Sequence, residues 1–233
     1  MQNALNPNDQ IPLDFPLRPA HGREDFLIGP SNQNAVAWID RWPDWPAPAL
    51  VLCGPAASGK SHLGAVWQER SDAQTIKAEL LCNKSAEDLA QSSQHLLIDG
   101  IDPFLGDRAA ETTLFHLYNI FKEQGRTMLL TSRIAPAQTD FAIADLASRL
   151  RAAPCETIKS PDDTLLQNII VKMFSDRQLE ISQDTLNYII PRMERSFVAA
   201  RDIVEKSDRL ALSKQRGISI SLMRDVLVSM QAE

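Results

Sequence analysis

The stretch ALVLCGPAASGKSHLGAVW, residues 49–67, decides the fold. It begins with an apolar run at 49–53 that is typical of a buried strand. The segment GPAASGKS at 54–61 follows and matches the pattern G-x-x-x-x-G-K-[ST]. After it, Leu63 and Val66 recur at helical spacing. The sequence therefore predicts a strand, a phosphate-binding loop (P-loop) and a helix in direct succession.

The loop residues are expected to bind a purine nucleotide. They are Gly54, Pro55, Ala56, Ala57, Ser58, Gly59, Lys60 and Ser61. Glycines let backbone N–H groups wrap the phosphates, and the helix N-terminus adds the positive end of its dipole. We expect Lys60 to contact the β- and γ-phosphates and Ser61 to bind Mg²⁺.

The remaining chain alternates short apolar runs with helical patterns as far as residue 160. The predicted strands are 49–53, 74–78, 95–99, 127–132 and 155–160. The longest intervening helix is predicted over 109–123. Strands separated by crossover helices predict an α/β fold in which a parallel five-stranded sheet forms the middle of three layers.

The chain divides into three predicted regions. Residues 1–24 mix Pro, Asn and Asp with few apolar residues, which predicts an extended tail. Residues 25–160 form the α/β domain. Residues 161–233 contain four helical patterns and no strand pattern, so we predict a small all-α domain there.

Polar residues end two of the predicted strands. Asp99 closes the strand HLLID and is expected to bind Mg²⁺, although it could instead cap the following turn. Thr131 and Ser132 close the strand TMLLTS. If that strand lies beside the P-loop strand, the hydroxyls of Thr131 and Ser132 are expected to hydrogen-bond the γ-phosphate or the attacking water. The alternative is ordinary polar residues at a strand end.

Position 100 is a glycine, so the second acidic residue that often activates water in such sites is missing. Asp102 is the nearest substitute. This departure argues against intrinsic ATP hydrolysis.

Two arginines are candidates for phosphate contacts. Arg149 lies in DLASRL near the end of the α/β region, and Arg195 lies in MERSF before a helix of the all-α region. A guanidinium can donate two parallel hydrogen bonds to phosphate oxygens. Arg149 could contact a phosphate in a neighbouring subunit, and Arg195 could contact one in its own chain. Composition alone would make both arginines ordinary surface charges.

Composition excludes several classes of protein. The net charge of −6 opposes nucleic acid as the main partner. No apolar run approaches the roughly 18 residues of a membrane span. Three scattered cysteines and the absence of a secretory signal within residues 1–16 favour a reducing, cytoplasmic location.

The order of these motifs resembles the AAA+ ATPases of the DnaA branch and, more closely, the Hda family of DnaA-homologous regulators. GPAASGKSHL is similar to the family's Walker A motif, LLIDGID to its Walker B motif and DLASRL to its arginine-finger box. The resemblance implies that Arg149 is an arginine finger, that Arg195 is the sensor 2 arginine in a C-terminal lid, and that the nucleotide is ADP or ATP, with ADP favoured.

The N-terminal tail contains QIPLDF at 10–15, which fits the clamp-binding pattern Q-x-x-[LM]-x-F. The Hda family carries a sliding-clamp motif in this region. The resemblance therefore implies that Leu13 and Phe15 insert into an apolar pocket of the DNA polymerase III sliding clamp (β subunit), with Gln10 at its rim. A disordered tail is the alternative.

The sequence also differs in two regions from that of the replication initiator DnaA. No helix-turn-helix domain follows the helical region, and the segment between the second and third strands is short, so we expect no direct sequence-specific DNA binding. The segment TSRIAPA lacks the acidic residue usual after the end of this strand.

The function that the resemblance implies is negative regulation of chromosomal replication initiation. The protein would dock on the sliding clamp and stimulate hydrolysis of DnaA-bound ATP through Arg149. A DnaA-binding adaptor without catalytic effect and a self-contained P-loop ATPase remain alternatives. A monomer and a nucleotide-dependent dimer are both open.

Overall fold

The computed structural model describes residues 28–91, 93–214 and 216–231. The predicted tail, with Gln10, Leu13 and Phe15, lies outside the described residues. The described chain divides into two compact units, one ending at Ser160 and the other beginning at Pro161.

The first unit is built on a five-stranded sheet. Its strands are β1 (Ala49–Cys53), β2 (Gln74–Lys77), β3 (His95–Asp99), β4 (Thr127–Ser132) and β5 (Cys155–Thr157). Their order is β2-β3-β4-β1-β5, and every neighbouring pair is parallel. The predicted parallel sheet is confirmed, and β4 lies directly beside the P-loop strand β1.

One predicted strand is too long. The run 155–160 pairs with β1 only as far as Thr157. The amide of Ile158 still donates to Cys53, but that of Lys159 donates to the carbonyl of Ser31, which draws the chain away from β1.

Six helices accompany the sheet within the described residues 28–91 and 93–160. They are α1 (Gln33–Arg41), α2 (Lys60–Ser71), α3 (Leu80–Asn83), α4 (Ala86–Gln91), α5 (Arg108–Glu123) and α6 (Ala144–Ala152). Short 3₁₀ turns occur at Asp102–Phe104 and Pro136–Gln138. Helix α5 begins at Arg108 because the side chain of Asp107 accepts hydrogen bonds from the amides of Ala109 and Ala110.

Successive strand residues pack into two different cores. Val51 and Leu130 belong to a cluster with residues of α3, α4, α5 and α6. Leu52 and Leu129 belong to a cluster with residues of α1 and α2. Because both faces of the sheet are covered, its central strands are apolar throughout, as in parallel sheets generally. This arrangement is the predicted three-layer α/β sandwich.

Aromatic side chains close the amino-terminal end of the sheet. Trp42 lies edge-on to Trp67, with ring centroids 6.3 Å apart, and edge-on to His95 at 5.2 Å. The indole nitrogen of Trp42 donates to the hydroxyl of Thr127 at 3.0 Å, and Nδ1 of His95 lies 2.8 Å from the same hydroxyl. We call Trp42, Trp45, Trp67 and His95 the aromatic cluster.

The second unit is helical, as predicted. Its helices are α7 (Asp163–Ser175), α8 (Gln183–Ile189), α9 (Phe197–Lys214) and α10 (Ile220–Gln231), with a 3₁₀ turn at Ile190–Arg192. Ile170, Phe174, Ile203 and Met223 lie in its core. Within the described residues, none of the helices has both the length and the apolar character needed to cross a membrane.

Candidate nucleotide-binding site

The P-loop leaves β1 through a backbone that only small residues permit. Gly54 has φ +147°, and its amide donates to the carbonyl of Ser132. A Cβ at this position would overlap the carbonyl oxygen of Ile158. Ala57 and Gly59 follow with φ +58° and +97°, so the chain turns tightly before α2 begins at Lys60. The loop and the helix N-terminus have the arrangement expected for holding phosphate.

The ammonium group of Lys60 lies inside this loop. Its Nζ donates to the carbonyls of Gly54 and Pro55, both at 2.7 Å, and lies 3.4 Å from Oγ of Ser58. These contacts hold the positive charge at the position from which a P-loop lysine reaches phosphate.

Burial lowers the pKa of Lys60, while the negative charges of Asp102 and Asp99 act in the opposite direction. Lowering by burial means that the ammonium has lost part of its water. An anion entering the loop would restore favourable interactions to this charge, as a nucleotide phosphate does.

Thr131 holds Asp99 at the end of β3. Its hydroxyl donates to Oδ1 of Asp99 at 2.6 Å and accepts from the amide of Gly100 at 2.8 Å. Thr131 is 1% exposed, whereas Asp99 is exposed. The buried hydroxyl therefore orients the carboxylate of an exposed residue, as a magnesium-binding carboxylate would need.

The positions after Asp99 do not supply a free second carboxylate. Gly100 has φ +75°, a conformation that most side chains avoid. Asp102 accepts from the amide of Arg133 at 2.9 Å, and the Arg133 guanidinium lies 3.7 Å from its other oxygen. The predicted substitute for the missing acid is therefore already engaged.

Ser132 lies where predicted, paired in register with Cys53 of the P-loop strand. However, its hydroxyl donates to the carbonyl of Ile134 at 2.8 Å and is 3.2 Å from the amide of the same residue. Ser132 is also buried. To contact a phosphate or a water, this hydroxyl would first have to leave its local turn.

Two cysteines that appear scattered in the sequence meet beside the P-loop. Sγ of Cys53 and Sγ of Cys155 are 3.3 Å apart, and both are free thiols. The hydrogen bond to Cys155 and burial raise the pKa of Cys53. Cys53 therefore stays a neutral thiol at the base of the loop.

Arg149 lies on α6 with its guanidinium against two aromatic rings of α5. The guanidinium carbon is 4.4 Å from the ring centroid of Phe115 and 5.5 Å from that of Tyr118. Its Nη1 is buried and finds no hydrogen-bond partner in the described part of the chain. The rings hold the charge in place while leaving a strong donor unused.

Arg195 belongs to the second unit and precedes α9. Its Nη2 donates to Oδ2 of Asp163 at 3.0 Å, and its Nε lies 2.9 Å from Oδ1. Its side chain remains 65% exposed, so this pairing is a surface interaction that a stronger anion could replace.

The donor set fits Mg²⁺ only together with a nucleotide. In residues 28–91, 93–214 and 216–231, no group of three or more His, Cys, Asp or Glu side chains could hold a metal ion. Ser61 is exposed at the start of α2 and Asp99 at the end of β3. One hydroxyl and one carboxylate are what a P-loop protein contributes when phosphates and water complete the coordination of Mg²⁺.

Sequence reasoning missed the role of Thr131 and the engagement of Asp102 by Arg133. The sequence contained a signal for the role of Thr131. Thr131 lies near the end of β4, and β4 neighbours β3, whose last residue is Asp99, so its hydroxyl can reach that carboxylate. The engagement of Asp102 depends on how the loop after β4 folds, which no local pattern indicates.

Fold and site together define a P-loop protein with the AAA+ fold. No family model matches the chain. An uncharacterized protein of Haemophilus influenzae is 24% identical over 94% of this chain and 99% of its own length. The replication initiator DnaA of Thermotoga petrophila is 23% identical over 91% of this chain, which spans 53% of that protein.

Solved structures show the same fold. Domain III of DnaA from Thermotoga maritima superimposes with a TM-score of 0.74 and 22% identity, covering 92% of this chain and 98% of that domain. DnaA from Aquifex aeolicus bound to AMPPCP gives a TM-score of 0.69 and 19% identity, covering 81% of this chain and 64% of that one. The chain thus has the fold of DnaA domain III.

Proposed function

We propose that this protein is a nucleotide-bound AAA+ regulator of chromosomal replication initiation, of the Hda type. It docks on the sliding clamp and stimulates hydrolysis of ATP bound to DnaA. The proposal rests on the sequence relation to DnaA together with the state of Arg149.

The Nη1 of Arg149, which has no hydrogen-bond partner among the described residues, is the observation that carries the proposal. A half-buried cation with an unused donor gains most when it meets an anion from another molecule. An arginine finger stabilises charge on the transferring phosphoryl group and increases rates by about 10³ to 10⁵. Arg149 would supply that charge to ATP in the active site of DnaA.

The protein's own P-loop would then bind a nucleotide without rapid turnover. Gly100 supplies no carboxylate, and Asp102 is engaged by Arg133. Lys60, Ser61 and Asp99 would hold ADP or ATP with Mg²⁺. Bound Mg²⁺ would neutralise phosphate charge.

Recruitment to the clamp would come from the tail. Gln10, Leu13 and Phe15 form a short linear motif whose apolar anchors gain affinity from a pocket on the partner. Docking on DNA-loaded clamp would restrict the activity to replicating chromosomes.

The decisive experiment measures hydrolysis of DnaA-bound ATP in the presence of DNA-loaded clamp and this protein. We expect acceleration by the native protein and a loss of at least about 10³-fold in Arg149→Ala, following the worth of an arginine finger. Arg108→Ala, which removes an exposed arginine of α5, is the matched control and should accelerate hydrolysis normally.

Other outcomes would favour the alternatives. Binding to DnaA without faster hydrolysis would favour an adaptor. Appreciable ATP turnover by the purified protein that disappears in Lys60→Ala would favour a self-contained ATPase. Clamp binding that survives deletion of residues 10–15 would remove the clamp from the proposal.

A further inference from the structure

Glu111 is a buried carboxylate that binds only backbone amides. It lies on α5 and is 1% exposed. Its Oε1 accepts from the amides of Gly106 at 2.6 Å and Ala142 at 3.1 Å, and its Oε2 accepts from the amide of Ile143 at 2.7 Å. A buried carboxylate with three such donors is well satisfied, so it is a specific structural element rather than a stray charge.

Two of these donors, Ala142 and Ile143, directly precede α6, which has no side-chain cap of its own. Ile143 occupies the N-cap position and makes no side-chain capping bond. Helix N-termini leave amides without partners, and a negative charge there interacts favourably with the helix dipole. Glu111 therefore holds from α5 the residues at which α6 begins.

The third donor lies on the other side of the carboxylate. Gly106 has φ +95° and forms part of the turn that leads into α5. The carboxylate of Glu111 binds both this turn and the residues before α6. It therefore joins three segments, which are the turn, α5 itself and the start of α6.

The same face of α5 also holds the side chain of Arg149. Glu111, Phe115 and Tyr118 are spaced at i, i+4 and i+7, which places them along one side of the helix. Phe115 and Tyr118 lie against the Arg149 guanidinium, while Glu111 binds the beginning of the helix that carries it.

We infer that Glu111 is the positioning residue for Arg149, a role that rests on the proposed function. It sets the placement of α6 on α5, and through α6 it determines where the guanidinium lies when DnaA-bound ATP arrives. Displacement of a reacting group by about 1 Å can cost about 10²-fold in rate.

The test is the isosteric change Glu111→Gln, which turns one oxygen into an NH₂ group facing backbone N–H donors. We expect the rate of DnaA-bound ATP hydrolysis at saturating regulator to fall about 10- to 100-fold. The concentration giving half-maximal stimulation and the affinity for ADP should stay within about twofold of native, since neither the P-loop nor the tail is touched. Glu123→Gln, at an exposed glutamate of the same helix, is the matched control.

A double-mutant cycle with Arg149→Ala separates positioning from general stability. If Glu111 acts through Arg149, then Glu111→Gln has no further effect on hydrolysis in the Arg149→Ala background. An equal fold-loss in both backgrounds would overturn the inference, as would a loss of ADP affinity that parallels the loss of rate.

Two further measurements test the contacts on which the inference rests, and the first does not depend on the folding of Glu111→Gln. Phe115→Leu removes the ring beneath the guanidinium and should lower the saturating rate without changing half-saturation. Hydrogen exchange of the Ala142 and Ile143 amides should be faster in Glu111→Gln, and unchanged exchange would contradict the role of Glu111 in holding these amides. A normal rate in Arg149→Ala would refute the proposed function, whereas a low rate there and a normal one in Glu111→Gln would refute only the positioning role.

Discussion

Thr127 and Thr131 lie four residues apart on β4, at opposite ends of the sheet, and their hydroxyls have different tasks. Thr127 contacts Trp42 and His95 in the aromatic cluster. Thr131 contacts Asp99 and the amide of Gly100 at the candidate site. The same residue type on the same strand joins packed rings at one end and orients an exposed carboxylate at the other.

The backbone conformation also differs between the two ends of the sheet. At the carboxyl end, Gly54, Ala57, Gly59 and Gly100 all have positive φ within the segments that would surround a nucleotide. At the amino end, α5 closes with Gly125, whose φ of +64° meets no steric conflict. One end of the sheet is shaped for a ligand, whereas the other contributes stability by burying aromatic surface.

The largest expected effect comes from changing glycine at the two ends. Gly54→Ala should lower the free energy of unfolding by about 2–5 kcal/mol, because the new methyl group overlaps the carbonyl of Ile158 in addition to straining the backbone. Gly125→Ala should cost only about 1–2 kcal/mol, since the space around it is open and only the left-handed backbone is strained.

Denaturant titration followed by tryptophan fluorescence measures both changes, because all four tryptophans (Trp38, Trp42, Trp45 and Trp67) lie in the first unit. Equal losses of stability in the two variants would break the contrast between the ends of the sheet.

The next effect compares the two threonines directly. Thr127→Val should lower the free energy of unfolding by about 1–3 kcal/mol, because the indole N–H of Trp42 loses its partner in a buried setting. Thr131→Val should instead weaken binding of the Mg²⁺–nucleotide complex by about 1 kcal/mol, roughly fivefold, because Asp99 loses the hydroxyl that orients it.

Calorimetric titration with ADP, in the presence of Mg²⁺ and again with a chelator, checks this pair. The defect of Thr131→Val should appear only with Mg²⁺, and Thr127→Val should bind normally in both conditions. A binding defect in Thr127→Val would show that the two ends are coupled.

The smallest effect concerns pH at the amino end. Burial and then the charge of Arg126 lower the pKa of His95, against a raising effect of the Thr127 backbone. The unfolded chain therefore binds a proton at about pH 6.5 while the folded protein does not. Stability should be independent of this group above about pH 6.5, fall as the pH decreases below that value, and level off below the folded pKa.

Thermal unfolding between about pH 5 and 7.5 measures this slope. As the pH falls, native protein should lose stability relative to His95→Gln, with His116→Gln at an exposed histidine of α5 as the matched control. A pH-independent difference would exclude His95 as the source.

Local patterns predicted the elements of the first unit closely. The strands 49–53, 95–99 and 127–132 were placed at their observed bounds, because fully buried parallel strands are continuous apolar runs with sharp ends. The strand at 155–160 was too long because its end depends on hydrogen bonding to Ser31, more than a hundred residues away in the chain.

The candidate site was predicted in type but not in detail. The P-loop and Asp99 follow from local sequence, since glycine spacing and an acid at a strand end are local signals. The engagement of Ser132 by Ile134 and the approach of Cys53 to Cys155 were not predicted, because both depend on where a loop or a neighbouring strand lies.

The sequence by itself determined the P-loop, the strands that surround it and the candidate residues for phosphate and magnesium. These features depend on backbone freedom at glycines and on the periodicity of apolar residues, which neighbouring residues set. Only the tertiary structure decided which polar groups are free to act. It pairs Asp102 with Arg133, leaves Nη1 of Arg149 without a hydrogen-bond partner among the described residues, and binds the amides that precede α6 to Glu111. The reason is that a hydrogen bond between distant segments exists only after the chain has folded, and each such bond removes one donor or acceptor from those a ligand can use.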